Sequence, residues 1–432
     1  MSAIIVVGAQ WGDEGKARVV DWLARDADLV ARFNGGDNAG HTVVAEGLTL
    51  KLHLVPAGIL HPTAVGLIGA GVVVNPTTLI KEMDELVDLG VDVGPARFKI
   101  SAAAHIILPS HLALDGAREE ARGKSAIGTT RRGIGPAYAD KAARVNLRAG
   151  DMINPEQFAD HVADGVRAHN RRLEERYGVS GTVSPEDAAA EYCEYAKRLA
   201  PHLVDGTALV GEALEAGKTV LCEGAQGLLL DLDHGSYPYV TSSSVIAGGA
   251  LTGLGFGPKE VSRVVGVAKA YTTRVGAGPF PTELLDEIGD QLRGTGANPW
   301  DEYGTTTGRP RRCGWLDLVI LRYAARINGL NELALVKLDI LSGLEWLKVA
   351  VAYERDGERI AHFPAEFGLE ELAKWQPVYE EVSGWTEDIM GVREFDDLPA
   401  AAQNYVTLIE KQVGLPITSI SVGPEREQMI VR

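Results

Sequence analysis

The stretch that decides the fold is IIVVGAQWGDEGKARVVDWLARDA, residues 4–27. Residues 4–7 are an unbroken β-branched run that stops at Gly8, and apolar residues recur at helical spacing beyond Gly15. This pattern predicts a strand, a glycine-containing loop and a helix. Such a loop points backbone N–H groups and the positive end of the helix at an anion, and Lys16 adds a charge. We interpret the loop as a phosphate cradle, and the alternative is a tight turn that binds no ligand.

The cradle differs from an ordinary P-loop, which has four residues between its glycines and a Ser or Thr after its lysine. Here six residues separate Gly8 from Gly15, and Ala17 follows Lys16. The hydroxyl that usually binds magnesium is therefore missing. Asp13, inside the loop, is a candidate to replace it as an oxygen ligand or to act as a base beside the phosphates.

Beyond the cradle, short apolar runs alternate with helical patterns, which is typical of an α/β fold. We predict a large, mostly parallel central sheet flanked by helices, a P-loop-like cradle and a helical insertion at about residues 151–216, all within a single domain, residues 1–432. Residues 77–89 have a helical pattern and residues 43–55 that of a β-hairpin. The other strand predictions are residues 29–33, 65–68, 98–100, 106–108, 219–222, 264–267, 333–336 and 348–353, with 417–421 as the last strand.

Charge and composition exclude several classes of protein. The formal net charge of −17 argues against wrapping nucleic acid, because that binding is driven by Lys and Arg. No run of about 18 apolar residues is present, so we expect no membrane span. The three cysteines show no CxxC pair, and the first residues lack the basic region of a signal peptide. We therefore expect a reducing, cytoplasmic location.

Two further loops carry groups suited to phosphate chemistry. In NGGDNAGHT, residues 34–42, the glycines allow close approach of a ligand, and His41 is a candidate proton donor. The alternative for His41 is a solvated side chain. In IGTTRRGIGPAY, residues 127–138, hydroxyls and arginines suit a phosphate monoester, and Arg144 follows. A plain surface loop is the alternative there.

Three later motifs suit a base, a carboxylate and a guanine. Gln226 in CEGAQG and Thr241 in YPYVTSS are candidates to contact a base edge or a phosphate, or else they cap loops. GTTTGRPRR, residues 304–312, has three hydroxyls and three arginines, which suits a carboxylate-bearing substrate better than a basic surface turn. In VKLD, residues 336–339, the aspartate can accept the paired N–H donors of guanine while the lysine stem lies over the ring.

Taken together and in order, these motifs resemble the adenylosuccinate synthetase family, and the resemblance runs from residue 4 to residue 426. It implies a single large α/β domain that works as a homodimer. It also implies a ligase that uses GTP to join L-aspartate to IMP through a 6-phosphoryl intermediate, giving adenylosuccinate, GDP and phosphate in the first committed step of AMP synthesis.

The resemblance also implies residue roles. Asp13 is expected to remove the N1 proton of IMP, and His41 to act as the acid in phosphoryl transfer. One Mg²⁺ ion per subunit would be held by Asp13 and the Gly40 carbonyl. GTP would contact Gly12, Asp13, Glu14, Gly15, Lys16, Ala17, Arg18, Gly40, His41, Thr42, Arg311, Lys337, Leu338, Asp339, Ser421, Val422 and Gly423. IMP would contact Asp13, Lys16, Asn38, Ala39, Gly40, His41, Thr130, Gln226, Thr241 and Arg309, with Arg144 from the other subunit, and aspartate would contact Thr305, Thr306, Thr307, Gly308, Arg309 and Arg311.

Several positions depart from the family's usual pattern. These are Ala17, Arg18, Asp37, Ala70, Arg131 and Ser244 to Ile246. They leave open a specialised paralogue that uses another purine nucleotide or amino-acid partner. A GTP-binding switch is a further alternative, which the arginine-rich second receptor disfavours because a switch needs no aspartate site.

Overall fold

The structure is a computed structural model that describes residues 2–45, 48–304, 308–364 and 369–432. Its strands are β1 (Ser2–Gly8), β2 (Leu29–Arg32), β3 (His41–Ala45), β4 (Leu48–Leu52), β5 (Val65–Ile68), β6 (Val73–Val74), β7 (Phe98–Ser101), β8 (His105–Ile106), β9 (Leu203–Val204), β10 (Thr219–Glu223), β11 (Val261–Lys269), β12 (Thr272–Arg274), β13 (Arg312–Gly314), β14 (Leu316–Asp317), β15 (Glu332–Val336), β16 (Leu344–Arg355), β17 (Glu358–Ile360), β18 (Gln376–Trp385), β19 (Ile417–Ser421) and β20 (Met429–Val431).

The helices connect these strands and cover the sheet. They are α1 (Lys16–Ala24), α2 (Pro76–Asp88), α3 (Pro109–Arg122), α4 (Ile134–Ala143), α5 (Pro155–Tyr177), α6 (Pro185–Leu199), α7 (Gly206–Glu215), α8 (Ala247–Leu254), α9 (Glu287–Arg293), α10 (Leu318–Asn328), α11 (Leu369–Leu372) and α12 (Ala400–Val413). None of the described helices combines the length and the apolar character needed to cross a lipid bilayer.

A large central sheet organises the molecule. Its ten strands follow the order β20-β19-β15-β11-β1-β10-β2-β5-β7-β9, and β1 pairs in parallel with both β10 and β11. Only the edge pair β19 and β20 is antiparallel in this sheet. The mostly parallel α/β fold is thereby confirmed, and Ile5, Val6 and Val7 of β1 are buried because both faces of a parallel sheet are covered.

The decisive stretch folds as its pattern predicts: β1 ends at Gly8 and α1 begins at Lys16. The hairpin is also confirmed, since β3 and β4 pair antiparallel. Residues 155–216, predicted to be helical, contain α5, α6 and α7. The parallel strands β1, β10, β11, β15 and β19 all deliver their following loops to the same edge of the sheet, which is where ligands bind in α/β folds.

Three details of the strand prediction are wrong or incomplete. Residues 417–421 form β19 but not the last strand, because β20 follows and pairs with it. Residues 106–108 do not form a full strand, because β8 ends at Ile106 and Pro109 opens α3 at a position that proline favours. Residues 348–353 lie in β16, which pairs with β14, β17 and β18 in a separate sheet.

Candidate active site

The main cleft opens at the carboxyl edge of the central sheet and has a volume of about 380 Å³. It brings together all the motifs that the sequence singled out. Of the residues expected at the site, those that line it are Gly12, Asp13, Glu14, Gly15, Lys16, Ala17, Arg18, Asn38, Ala39, Gly40, His41, Thr42, Thr130, Gln226, Thr241, Arg309, Arg311, Lys337, Asp339, Ser421 and Gly423.

A few expected residues lie elsewhere. The side chains of Leu338 and Val422 are fully buried, so at most their backbones face a ligand. Gly308 does not line the cleft, and Arg144 is exposed at the end of α4. Thr305, Thr306 and Thr307 lie outside the described residues.

The cradle after β1 is shaped from within by Glu14. Its carboxylate accepts hydrogen bonds from the backbone N–H groups of Gln10 (3.0 Å) and Gly12 (2.9 Å) and from Lys16 Nζ (2.6 Å). Gly12, Asp13 and Gly15 have φ angles of 85°, 59° and 83°, a left-handed conformation in which an L side chain is strained. The hydrogen bonds to Glu14 close the loop, and this closed loop holds the backbone of Asp13 in its strained conformation.

Asp13 lies in the cleft beside a cluster of cations. Arg311 Nε donates to Asp13 Oδ2 at 2.8 Å. Burial alone would raise the pKa of Asp13, but the positive charges of Arg311, Lys269 and Lys16 outweigh that effect and hold the pKa below its usual value. The carboxylate is therefore ionised at neutral pH, and it becomes a stronger base when Arg311 moves away.

His41 faces the cleft from the start of β3 and is held by Glu223 at the end of β10. The imidazole Nδ1 donates to Glu223 Oε1, and Glu223 Oε2 accepts from the Ala57 N–H at 2.8 Å. The accepting carboxylate fixes the proton on Nδ1, which leaves Nε2 as the nitrogen available to a ligand. Burial lowers the pKa of His41, and the neighbouring Glu223 only partly offsets this.

The loop at residues 127–130 is anchored to α3. The Gly128 N–H donates to Glu119 (2.8 Å), and Thr129 Oγ1 donates to Asp115 (3.1 Å). Arg309 reaches across from the arginine-rich segment and donates to the Gly128 carbonyl at 3.1 Å. The proposed phosphate loop and the carboxylate receptor are therefore neighbours.

Gln226 is poised for a ligand. It has a φ of 62° and lines the cleft, and its buried Nε2 has no hydrogen-bond partner among the described residues. A buried amide without a partner costs free energy unless a ligand or water satisfies it. Gln226 is therefore a strong candidate to donate to a bound purine.

The loop after β15 has a similar unsatisfied acceptor. Asp339 Oδ1 is buried and without a hydrogen-bond partner in the described part of the chain, and burial raises the pKa of this carboxyl. Lys337 precedes it with a φ of 60°, and its Nζ donates to the Trp300 carbonyl at 2.8 Å. Trp300 and Ile340 line the same cleft. An acceptor beside apolar side chains suits a base with N–H donors.

A separate group of possible metal ligands, His111, Asp140 and His169, does not fit Mg²⁺. Both imidazoles contact Asp140 Oδ2, His111 at 3.1 Å and His169 at 2.7 Å. His111 Nδ1 accepts from the Leu108 N–H, so its Nε2 carries the proton and has no lone pair for a metal. Mg²⁺ also prefers oxygen ligands. These side chains tie α3, α4 and α5 together instead.

Among the positions that depart from the family's pattern, Ala17 and Arg18 line the cleft. Asp37 is buried and accepts from Asn75 Nδ2 and Thr78 Oγ1, both at 2.9 Å. Arg131 is exposed, 3.7 Å from Glu120. The other departing positions, Ala70, Ser244, Val245 and Ile246, lie outside the cleft lining.

Sequence reasoning missed the buried charges that hold the site in shape, namely Glu119, Glu223, Lys269 and Glu302. A usable signal existed for two of them. Glu223 and Lys269 are charged residues that end the buried apolar runs of β10 and β11, at the edge where ligands bind.

Comparisons with known proteins agree with this geometry. The sequence model of the family described as adenylosuccinate synthetase matches residues 5–430. The chain is similar to the adenylosuccinate synthetase of Carboxydothermus hydrogenoformans, with 53% identity over 100% of this chain and 99% of that protein. It is also similar to that of Streptococcus gordonii, with 49% identity over 99% and 97%.

Solved structures give the same result. The fully ligated adenylosuccinate synthetase from Plasmodium falciparum superimposes with a TM-score of 0.93 and 40% identity, covering 100% of both chains. The cyanophage S-2L succinoaminodeoxyadenylate synthetase, solved with dGMP and dATP, has a TM-score of 0.61 and 22% identity over 100% of this chain and 95% of its own. That second likeness shows the fold alone.

Proposed function

Because the chain belongs to the adenylosuccinate synthetase family, we propose that Asp13 and His41 are its catalytic pair. The chain is a GTP-dependent ligase that joins L-aspartate to IMP and yields adenylosuccinate, GDP and phosphate, the first committed step of AMP synthesis. The observation that best supports the residue roles is a single cleft that holds an ionised Asp13, the imidazole of His41 and two groups, on Gln226 and Asp339, that have no hydrogen-bond partner among the described residues.

In the proposed first step, Asp13 takes the N1 proton of IMP. The electron pair of the N1–H bond moves into the ring, so that O6 becomes the nucleophile and attacks the γ-phosphorus of GTP. The O6–P bond forms, the bond to the β,γ-bridging oxygen breaks, and GDP leaves. Once His41 also carries a proton on Nε2, a form that the negative phosphates favour, it would donate a hydrogen bond to the phosphate oxygens as charge builds on them, a type of assistance worth about 10² to 10⁴ in rate.

In the proposed second step, the amine of L-aspartate attacks C6 of 6-phosphoryl-IMP. The C6–O6 bond breaks, phosphate leaves with O6, and the amine loses a proton, which gives adenylosuccinate. Arg309 and Arg311 would bind the carboxylates of aspartate, since a guanidinium offers a bidentate fork. Arg311 now donates to Asp13, so its move to the substrate would leave Asp13 free to accept the proton.

IMP would lie between the cradle and the loops after β2 and β10. Gln226 would contact its base, and the hydroxyls of Thr130 and Thr241 would contact its phosphate together with Asn38 and Arg309. Lys16 would exchange its present partner, Glu14, for the phosphates of the nucleotides. Arginine and hydroxyl groups on loops of this kind are the usual receptors for a phosphate monoester.

A magnesium ion suits the hard oxygen ligands near the cradle. Asp13 and Gly40 line the same cleft, and carboxylate and carbonyl oxygens are the ligands that Mg²⁺ prefers. When bound there, the ion would neutralise charge that develops on the phosphates.

The working unit would be a homodimer in which Arg144 serves the partner's site. Arg144 ends α4 with a φ of 64°, and its neighbour Val145 is 69% exposed. An exposed apolar residue beside a strained arginine suits a surface that another subunit covers. We also propose a cytoplasmic location, because Cys193, Cys222 and Cys313 are free and thiols persist in reducing compartments.

No observation favours the specialised paralogue. Of the departing residues, Ala17 and Arg18 line the cleft; Ala17 has a small side chain, and Arg18 donates to the backbone carbonyls of Gly423 and Gln428. A switch protein would not need the receptor formed by Arg309 and Arg311 beside the catalytic carboxylate.

An omission assay tests the proposed function. We expect phosphate release from GTP only when IMP, L-aspartate and Mg²⁺ are all present, because O6 must be activated and phosphate must be displaced by the amine. Substitution of IMP by GMP, dGMP or AMP should abolish it. Release that proceeds with one of those nucleotides and not with IMP would contradict the substrate assignment, and release without aspartate would contradict the ligase.

A further inference from the structure

A buried carboxylate, Glu302, lies behind the cleft and contacts three cationic side chains, although the proposed mechanism gives it no role. Its Oε1 accepts from Lys269 Nζ (2.8 Å), Tyr271 Oη (2.6 Å) and Lys337 Nζ (2.5 Å). Its Oε2 accepts from Lys269 Nζ (2.8 Å) and Arg311 Nη1 (2.6 Å). Glu302 is 0% exposed, so these hydrogen bonds satisfy a carboxylate that water does not reach.

Burial would raise the pKa of Glu302, but Lys269, Lys337 and Arg311 outweigh it and keep the pKa well below the usual value. One negative charge is thus shared among three cations. If one cation loses its contact with Glu302, the carboxylate attracts the two remaining cations more strongly. The effect is large because Coulomb energies in a buried site are large.

One of the three cations is buried away from the cleft, and the other two line it. Lys269 ends β11, is fully buried and also donates to Thr273 Oγ1 at 2.6 Å. Lys337 precedes the guanine-reading Asp339 and is partly exposed. Arg311 belongs to the aspartate receptor and contacts Asp13 through Nε while Nη1 contacts Glu302. The carboxylate therefore joins two subsites through cations that each have a ligand to bind.

We propose that Glu302 is a positioning residue that couples the guanine subsite to the aspartate subsite, which rests on the roles proposed above for Lys337 and Arg311. When the stem of Lys337 lies over a bound guanine and its Nζ leaves Glu302, the carboxylate binds Arg311 more strongly and pulls it off Asp13. Asp13 is then free to act as a base, and Arg311 is oriented for the aspartate carboxylate. GTP binding thereby raises the affinity for aspartate.

Coupling of this kind is reciprocal, so aspartate must raise the affinity for the nucleotide by the same factor. The test is titration calorimetry with a β,γ-imido analogue of GTP, on protein saturated with IMP and Mg²⁺, with and without saturating L-aspartate. For the unchanged protein we expect the Kd of the analogue to fall by at least about 5-fold when aspartate is present, at the low end of typical allosteric coupling.

In Glu302→Gln the amide cannot balance the cations, and the ratio of the two Kd values should fall to near 1. Glu332→Gln is the matched control, because Glu332 is a buried carboxylate paired with Arg263 on β11 and β15 and does not line the cleft. It should keep the full ratio. Lys337→Met is a second variant, which leaves Glu302 paired with Lys269 and Arg311. In this variant too, the ratio of the two Kd values should fall to near 1.

Each outcome decides the proposal. An unchanged ratio in folded Glu302→Gln, or no coupling in the unchanged protein, overturns the positioning role. If Glu302→Gln fails to fold, a retained ratio in Lys337→Met overturns it. Failure of the proposed function is distinguishable, because it would appear in the omission assay as phosphate release that does not require IMP and aspartate.

Discussion

The Asp13→Asn variant is expected to lose at least about 10²-fold in kcat for the ligation of IMP and L-aspartate. Asparagine has nearly the same shape as aspartate, but its amide cannot take the N1 proton of IMP at neutral pH. Arg311 keeps its contact with Glu302 in the variant, so the loop geometry should persist. The measurement is steady-state phosphate release with all three substrates saturating.

Two controls separate chemistry from folding. Binding of GTP to Asp13→Asn, followed by calorimetry, should remain within a few fold of the unchanged protein, because the cradle holds the phosphates through backbone N–H groups and Lys16. Asp26→Asn, at an exposed carboxylate paired only with Arg25 across 3.4 Å, should leave kcat unchanged. Undiminished turnover of Asp13→Asn would remove Asp13 from the role of base.

The Asp339→Asn variant is expected to lose preference for GTP. A carboxylate accepts both N1–H and N2–H of guanine, whereas an amide places a donor against one of them. An unmatched buried donor costs about 1–3 kcal/mol, so kcat/KM for GTP relative to ATP should fall about 5- to 150-fold. The ratio is measured with IMP and L-aspartate held at saturation.

The matched variant is Asp388→Asn, because Asp388 is an exposed carboxylate near Asp339 that does not line the cleft. It should keep the GTP preference. An equal fall in kcat/KM with GTP and ATP for Asp339→Asn would show that this side chain does not read the guanine.

Much of the site could be predicted because its parts are local in the chain. The strand, cradle and helix of residues 4–27 follow from a buried apolar run, closely spaced glycines and a helical pattern, and the structure contains them as β1, the loop and α1. Lys337 and Asp339 follow a buried strand and were recognisable for the same reason. The local conformation of each motif is set by residues next to one another in the chain, and the sheet then brings the strand ends together.

The remainder depends on contacts between residues far apart in sequence. Nothing next to Glu302 in the chain indicates that it would bind Lys269, at the end of β11, and Lys337, just after β15. Likewise, residues 348–353 have a clear strand pattern, but their pairing with β18 outside the central sheet is set by distant residues. Periodicity indicates that a strand exists and gives no information about its partner.

The most direct test of the central claim follows one atom. IMP labelled with oxygen-18 at O6 is incubated with the protein, GTP, Mg²⁺ and L-aspartate in unlabelled water, and the released phosphate is analysed by mass spectrometry. The mechanism predicts one labelled oxygen in each phosphate, because O6 bonds to the γ-phosphorus and leaves with it. Unlabelled phosphate alongside adenylosuccinate would contradict activation of IMP by phosphorylation at O6.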